Sequence, residues 1–100
     1  MANPAKVVRE RVVSLEDLPN IGKACAADLR QLGILEPAQL RGQDPVALYD
    51  ALADLTGQRH DPCMLDVLLS VVRFMEGGLS LPWWSYTEER KALLRARRKP

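Results

Sequence analysis

The sequence predicts an all-helical fold, a single compact helical bundle. Prolines and glycines recur at the places where helices would begin and end, and no stretch alternates apolar and polar residues with strand period over more than a few positions. The chain has 100 residues, of which 47% are hydrophobic and 27% charged. This composition is typical of a globular chain and suffices for one hydrophobic core, so we expect one domain.

The first predicted helix begins with a capping-box pattern, in which Ser14 is followed three residues later by Asp17. Pro19 ends this short helix at 15–18. The same punctuation, with proline or aspartate before a helix and glycine after it, predicts further helices along the chain. They span 23–32, 37–40, 45–56 and 62–76, and a last helix follows Thr87 with Glu88 and Glu89 in its first turn.

The predicted helix at 62–76 is apolar on nearly all sides, which is typical of a helix that runs through a core. We therefore expect it to be buried. The segment that follows, around Trp83 and Trp84, is expected to be extended and to wrap around the bundle. Adjacent side chains point in different directions, so one tryptophan can fill the core while the other is free to stack on a base or a partner. A purely structural role for both tryptophans is the alternative.

The stretch from Leu15 to Leu29 places a short turn between two predicted helices. It resembles the helix-hairpin-helix motif, in which a turn of leucine, proline, any residue, a hydrophobic residue and glycine joins the helices. The resemblance implies that Ile21 anchors the turn in the core. It also implies that Gly22 lets the backbone approach a partner closely.

The start of the second helix in this hairpin has the chemistry of a phosphate site. Backbone N–H groups there have no acceptor within the helix, and the helix dipole adds partial positive charge. Lys23 supplies a cationic side chain beside them. We expect such a contact to recognise the nucleic-acid backbone and not its sequence. The predicted DNA contacts in the hairpin are Pro19, Asn20, Ile21, Gly22 and Lys23.

Two alternatives stay open for this hairpin: contact with a protein partner, and a helix-packing turn without a ligand. Asn20 stands where DNA-binding hairpins usually have glycine. Asparagine tolerates a left-handed backbone conformation, so we expect the turn to form, with less room for a phosphate.

A degenerate second copy of the hairpin follows at 37–52, with Leu40 corresponding to Leu18. Paired copies would give a pseudo-duplicated bundle of the (HhH)2 or SAM-like kind. Asp44 is expected to cap the helix of this copy, where its carboxylate would bond the free amides and repel phosphate. We therefore interpret the second hairpin as structural.

A succession of short motifs runs through 15–86. The hairpin is followed by Leu-Gly-Ile, by Gly-x-Asp-Pro, by His-Asp-Pro-Cys before the apolar helix, by Gly-Gly, and by Pro-Trp-Trp. In this order the motifs resemble the bacterial pathogenicity locus family, whose members are small helix-hairpin-helix proteins, some of them described as mitomycin resistance proteins. The hairpin is also similar to the C-terminal domain of TfoX-type competence regulators. Both resemblances imply a fold and a connection with nucleic acid, and neither supplies a catalytic residue.

Charge is unevenly divided along the chain, although the formal net charge is +1. Residues 1–11 carry three bases and one acid, residues 12–87 five bases and ten acids, and residues 88–100 six bases and two acids. Because an acidic body repels DNA, binding would need the local hairpin contact or the basic ends, and we expect the hairpin and the basic C-terminal tail to act together. The predicted contacts there are Arg90, Lys91, Arg95, Arg97 and Arg98.

The distribution of charge and the pattern of predicted helices together predict three segments. They are a flexible N-terminal arm at 1–13, a helix-hairpin-helix domain at 14–86, and a basic, solvated C-terminal helix or tail at 87–100. The two cysteines and the absence of a secretory leader indicate a reducing, cytoplasmic location, and no apolar stretch approaches the roughly 20 residues of a membrane span.

The sequence argues against an enzyme. It has one histidine, no nucleophile elbow, no glycine-rich phosphate loop and no obvious pair of carboxylates, and we expect no cofactor. His60 and Cys63 have the spacing of half a metal site, but zinc needs four ligands, so no metal is expected. A reactive thiol at Cys63, favoured by its place in the first turn of a helix, is an alternative to a structural role. The expected partner is DNA, and the alternative is a protein.

Overall fold

The computed structural model describes residues 3–97, with side chains through residue 96, and this part of the chain is helical without a β-strand. The all-helical prediction is confirmed. The α-helices are α1 (Lys23–Gln31), α2 (Pro45–Thr56), α3 (Pro62–Met75) and α4 (Thr87–Arg97). Short 3-10 turns span Pro4–Lys6, Arg9–Arg11, Leu15–Asp17, Pro37–Leu40 and Trp83–Tyr86. No helix in this described part has the length and apolar character that a membrane span requires.

Helix α3 lies at the centre of the bundle, as its apolar sequence predicts. It packs against α2, α4 and the 3-10 turns at 37–40 and 83–86. Two of its buried residues, Asp66 and Ser70, are polar, and both find hydrogen-bond partners on neighbouring elements. The other buried residues of α3 are Leu65, Val67, Leu68, Leu69, Val71, Val72 and Phe74.

Two aspartates cap the starts of α2 and α3, as predicted. The carboxylate of Asp44 accepts the N–H of Val46 at 2.9 Å, and that of Asp61 accepts the N–H of Cys63 at 2.8 Å. A proline follows each aspartate as the first helical residue, where its missing N–H is not needed. Both helix starts are therefore fixed by local sequence.

The predicted helix at 15–18 is shorter than expected, because it consists of the single 3-10 turn Leu15–Asp17. Its capping box forms: the carboxylate of Asp17 accepts the backbone N–H groups of Ser14 at 2.9 Å and of Val13 at 3.1 Å. A 3-10 turn, a short loop and an α-helix thus follow one another twice, at 15–31 and at 37–56. The assignment of these units as helix-hairpin-helix motifs stays a prediction.

Residues 3–13 of the N-terminal arm, which the sequence predicts to be flexible, lie against the bundle. Arg9 donates to the carbonyl of Phe74 at 2.6 Å and to that of Gly78, and its guanidinium carbon is 4.0 Å from the centre of the Phe74 ring. Ser80 Oγ donates to the carbonyl of Pro4 at 2.6 Å. Arg9 thereby bonds carbonyls at the end of α3, where the helix dipole favours a cation. The arm's own sequence does not indicate this contact, since its partners lie more than 60 positions away.

Candidate nucleic-acid interface

The hairpin turn, which comprises residues 18–23, connects the 3-10 turn at 15–17 to α1. Leu18 and Ile21 are 0% and 1% exposed and belong to the hydrophobic core. The prediction that Ile21 anchors the turn is confirmed. Asn20 has a φ of +67°, so it adopts the left-handed conformation that asparagine was expected to tolerate at this place.

Asn20 ties the hairpin turn to the rest of the bundle. Its side-chain amide donates to Ser70 Oγ at 3.0 Å and to the carbonyl of Leu81 at 2.9 Å. Ser70 Oγ in turn donates to the carbonyl of Val67 at 2.6 Å, so the buried polar groups form a short chain of hydrogen bonds. The side chain that replaces the usual glycine therefore contributes to the fold.

Burial reduces the set of DNA contacts that the sequence predicts in the hairpin turn. Pro19, Asn20 and Ile21 are buried as whole residues, backbone included, so they offer little surface to a ligand. These three residues shape the turn instead. Gly22 is half-buried and Lys23 is exposed, and they form the accessible edge of the turn.

Helix α1 begins without a side-chain cap. Gly22 occupies the N-cap position, where it has no side chain to accept the amides of 23–25. The carboxylates of Asp44 and Asp61 fill the equivalent position of α2 and α3. The start of α1 is consequently more favourable for a phosphate than the starts of α2 and α3.

The carboxylates of the preceding 3-10 turn are already bound to protein groups. Glu16 forms an ion pair of 2.7 Å with Arg30, and this hydrogen bond lowers the pKa of Glu16. The backbone N–H of Ser14 lowers the pKa of Asp17. Lys23 itself has no ion-pair partner within residues 3–97, so its charge is available to a ligand.

At the other predicted contact region, the expectation that Arg90 is solvated is wrong. Arg90 Nε donates to Asp66 Oδ1 at 2.8 Å, and the two side chains are 15% and 0% exposed. Thr87 Oγ1 donates to the second oxygen of the same carboxylate at 2.8 Å. The bond to Asp66 raises the pKa of Arg90. These contacts fasten the first turn of α4 to α3, so the helix is part of the bundle and not a free tail.

The remaining predicted C-terminal contacts differ in availability. Lys91 Nζ lies 3.4 Å from a carboxylate oxygen of Glu88, and both side chains are largely exposed. Arg95 is exposed and has no ion-pair partner in the described part of the chain. Arg97 is the last residue of α4, but its side chain and the whole of Arg98 lie outside the described residues.

Arg59, which no sequence pattern indicates as a contact, joins this basic region from the loop between α2 and α3. A cavity of about 240 Å³ separates that loop from α4. Its lining residues are Arg59, Pro62, Arg90, Lys91, Leu94 and Arg95. No local pattern could have predicted the grouping, because only the packing of α4 across the start of α3 brings Arg59 beside residues some thirty positions later.

Comparison with known proteins assigns the chain to a family. Residues 8–92 match the family model Cdd1, which is described as pathogenicity locus. The chain belongs to the pathogenicity locus family. It is also similar to the mitomycin resistance protein McrB of Streptomyces lavendulae, with 49% identity over 80 residues, which are 80% of this chain and 76% of that protein. No solved structure matches the chain. The family resemblance is thus confirmed, and the similarity to TfoX-type regulators stays a prediction.

In this pathogenicity locus protein the two adjacent tryptophans diverge as predicted. Trp83 packs against the core, whereas Trp84 is 63% exposed. Their ring centroids are 5.5 Å apart with planes at 83°, an edge-to-face arrangement. The Trp84 ring is therefore held by its neighbour and accessible to a partner.

The structure does not favour a reactive Cys63. A hydrogen bond with the Asp61 carboxylate, together with partial burial, raises the pKa of the Cys63 thiol and so disfavours the nucleophilic thiolate. The His60 ring lies at the end of α2, where its Nε2 is 3.0 Å from Thr56 Oγ1. Within residues 3–97, no group of three or more His, Cys, Asp or Glu side chains is arranged to hold a metal ion.

Proposed function

We propose that this pathogenicity locus protein is a non-catalytic module that binds the DNA backbone without sequence preference. The contact is the start of α1, at Gly22 and Lys23, and exposed cations of α4 assist it. The observation that carries the proposal is the uncapped start of α1 beside an exposed lysine that has no ion-pair partner within residues 3–97.

A phosphate at this place would accept hydrogen bonds from amides that have no acceptor within α1. The partial positive charge of the helix start and the ammonium group of Lys23 would both attract it. Gly22 has no side chain beyond its α-carbon, so the approach of a phosphate oxygen is not blocked there. All of these contacts are with phosphate, which is common to every DNA sequence.

Weak binding follows from the distribution of charge. Residues 12–87 carry ten acids against five bases, so the body of the protein repels DNA everywhere except near its local cations. The number of phosphates contacted is consequently small, and binding depends on salt.

Amide NMR spectra of the protein titrated with a short DNA duplex test the proposal. The amides of 22–25 are expected to shift, and Lys23→Gln is expected to reduce the affinity equally for duplexes of unrelated sequence. Lys6→Gln is the matched control, because it removes the same charge from another exposed lysine that is not among the predicted DNA contacts. Shifts confined to other helices, or equal losses in the two variants, would overturn the proposal.

The name of the similar protein supplies a cellular test. If this chain also acts in mitomycin resistance, and does so by binding DNA, cells that depend on it will lose protection when Lys23 is replaced by glutamine. Protein levels of the variant must match those of the wild type. Full protection by a variant that no longer binds DNA would separate resistance from DNA binding.

A protein-interaction module is the second candidate function. It is favoured by two exposed apolar side chains near one another in sequence, Leu79 at 75% and Trp84 at 63% exposure. Exposed aromatic residues are frequent anchors of protein interfaces. A partner recovered from nuclease-treated lysate by the wild type and lost with Trp84→Ala would support this function, whereas recovery that requires DNA would support the first.

A further inference from the structure

The basic cavity beside α4 is distinct from the start of α1. It is formed where the loop after α2, the first residue of α3 and one face of α4 meet, and it measures about 240 Å³. Four of its six lining residues are cationic and none is acidic. The cations come from two separate parts of the chain, Arg59 from the loop and Arg90, Lys91 and Arg95 from α4.

One wall of the cavity is held in place. Arg90 is fixed by its 2.8 Å bond to the fully buried carboxylate of Asp66, and Thr87 holds the same carboxylate. The charge of Arg90 is therefore largely neutralised, but its position fixes α4 against α3. This anchoring sets the positions from which the next residues of α4 project.

The other cations of the cavity are free to bind. Arg59 and Arg95 are exposed and have no ion-pair partner within residues 3–97. Among the described residues, Lys91 is paired only with Glu88, at 3.4 Å. Glu88 is 88% exposed, so this interaction contributes little. The carboxylate of Asp61, which precedes Pro62, accepts the backbone N–H of Cys63, and its charge also acts on Arg90, so it offsets only one of the four cations. The cavity consequently has a surplus of positive charge.

Size and charge together indicate the ligand. Clefts that enclose drug-sized molecules measure about 300–1,000 Å³, so this cavity suits a single charged group more than an entire large ligand. Guanidinium groups bind phosphate oxygens in a bidentate way, and a phosphate monoester carries a charge of about −1.5 to −2 at pH 7. Cations that line one small cavity, unlike cations spread along a groove, favour such a dianion over a chain of phosphodiesters.

We propose that this cavity is a binding site for a phosphate monoester, with Arg59, Lys91 and Arg95 as its ligands. The phosphate is carried either by the end of a DNA strand or by a small molecule. In the first case the site extends the proposed function, because it would hold the terminus of a strand whose backbone contacts α1. The site itself does not depend on the contact at α1.

Inorganic phosphate is the first probe. Amide and arginine side-chain NMR signals of Arg59, Lys91 and Arg95 are expected to shift when phosphate is added at constant ionic strength. The double variant Arg59→Gln/Arg95→Gln is expected to bind phosphate at least about fivefold more weakly, since it loses two charge-assisted contacts. Lys6→Gln/Arg11→Gln removes two exposed charges elsewhere and should bind as the wild type does. Equal binding by both double variants would overturn the proposal.

Two oligonucleotides, one with a 5′-phosphate and one with a 5′-hydroxyl, show whether the bound phosphate belongs to the end of a DNA strand or to a small molecule. Roughly three- to tenfold tighter binding of the phosphorylated strand, retained in Lys23→Gln and lost in Arg59→Gln/Arg95→Gln, would assign the site to a strand end. Phosphate binding at the cavity without a preference between the two strands would assign it to a small molecule. If the protein bound phosphate at the cavity but neither the wild type nor any variant bound DNA, the proposed DNA-binding function would be overturned and the cavity site would stand.

Discussion

The side-chain amide of Asn20 donates a 3.0 Å hydrogen bond to Ser70 Oγ, across 50 positions of sequence. The bond joins the hairpin turn to the middle of the buried helix α3. Asn20 therefore combines a left-handed backbone, which glycine would also provide, with a buried side-chain contact, which glycine would not. Asn20 lies two residues before Gly22, the N-cap residue at the uncapped start of α1.

Replacement of Asn20 by glycine is expected to lower the free energy of unfolding by about 1–3 kcal/mol, because Ser70 and the carbonyl of Leu81 lose a buried partner. Asn20→Ala should lose about 1 kcal/mol more, since alanine is strained at a φ of +67°. Urea denaturation measures both values. A glycine variant as stable as the wild type would show that the hydrogen bonds contribute nothing net.

Truncation of Ile21 to alanine is expected to cost about 2–4 kcal/mol of stability, because the side chain is 1% exposed and its removal leaves a cavity under the turn. Ile21→Val, which removes one methylene, should cost only about 0.5–1.5 kcal/mol. Lys23→Gln, a surface change, should stay within about 0.5 kcal/mol. Thermal or urea denaturation measures the stability of these variants. If Ile21→Ala were as stable as Ile21→Val, a residue other than Ile21 would anchor the turn in the core.

Arg90→Gln is expected to destabilise the protein by about 2–4 kcal/mol, since it leaves the buried carboxylate of Asp66 without its cation. This loss of stability is smaller than that expected for a fully buried ion pair, because the Arg90 side chain keeps some contact with water. Arg95→Gln, on the same helix but exposed, serves as the control and should change stability by less than about 0.5 kcal/mol. Similar losses in the two variants would mean that the ion pair does not hold α4 in place.

The reactivity of Cys63 should depend on Asp61. The hydrogen bond to that carboxylate raises the pKa of the thiol, so the alkylation rate should rise with pH through a midpoint above that of a free cysteine, about 8.5. Asp61→Asn keeps a cap on α3 but removes the negative charge. It should lower the midpoint and speed alkylation at pH 7.5 several-fold, as measured by mass spectrometry of the Cys63 peptide. An unchanged midpoint would contradict this account.

Local signals predicted most of the fold. The caps at Asp44 and Asp61 and the burial of α3 follow from residues that are neighbours in sequence, and the structure contains all three. Contacts between distant residues were not predictable in this way. In the sequence, Asp66 interrupts an apolar helix without an evident partner, and only the packing of α4 places Arg90 beside it. Arg9 belongs to an arm predicted to be flexible, and its contact with the end of α3 is visible only in the structure.

The candidate site was predicted only in part for the same reason. The sequence indicated a turn with Ile21 inside and Lys23 outside, and both hold. Burial of Asn20 depends on Ser70 and Leu81, which no local pattern connects to the turn. Arg59 joins the cations of α4 only through the packing of the bundle.

The salt dependence of DNA affinity tests the central claim most directly. Each phosphate contact contributes about −0.9 to the slope of log K against log salt, so a helix start assisted by a few cations should give a slope of roughly −2 to −5. Lys23→Gln should make the slope less steep by about 1, equally for duplexes of different sequence, because one phosphate contact is lost. A slope near zero, or one that Lys23→Gln leaves unchanged, would contradict the assignment of the start of α1 as a phosphate contact.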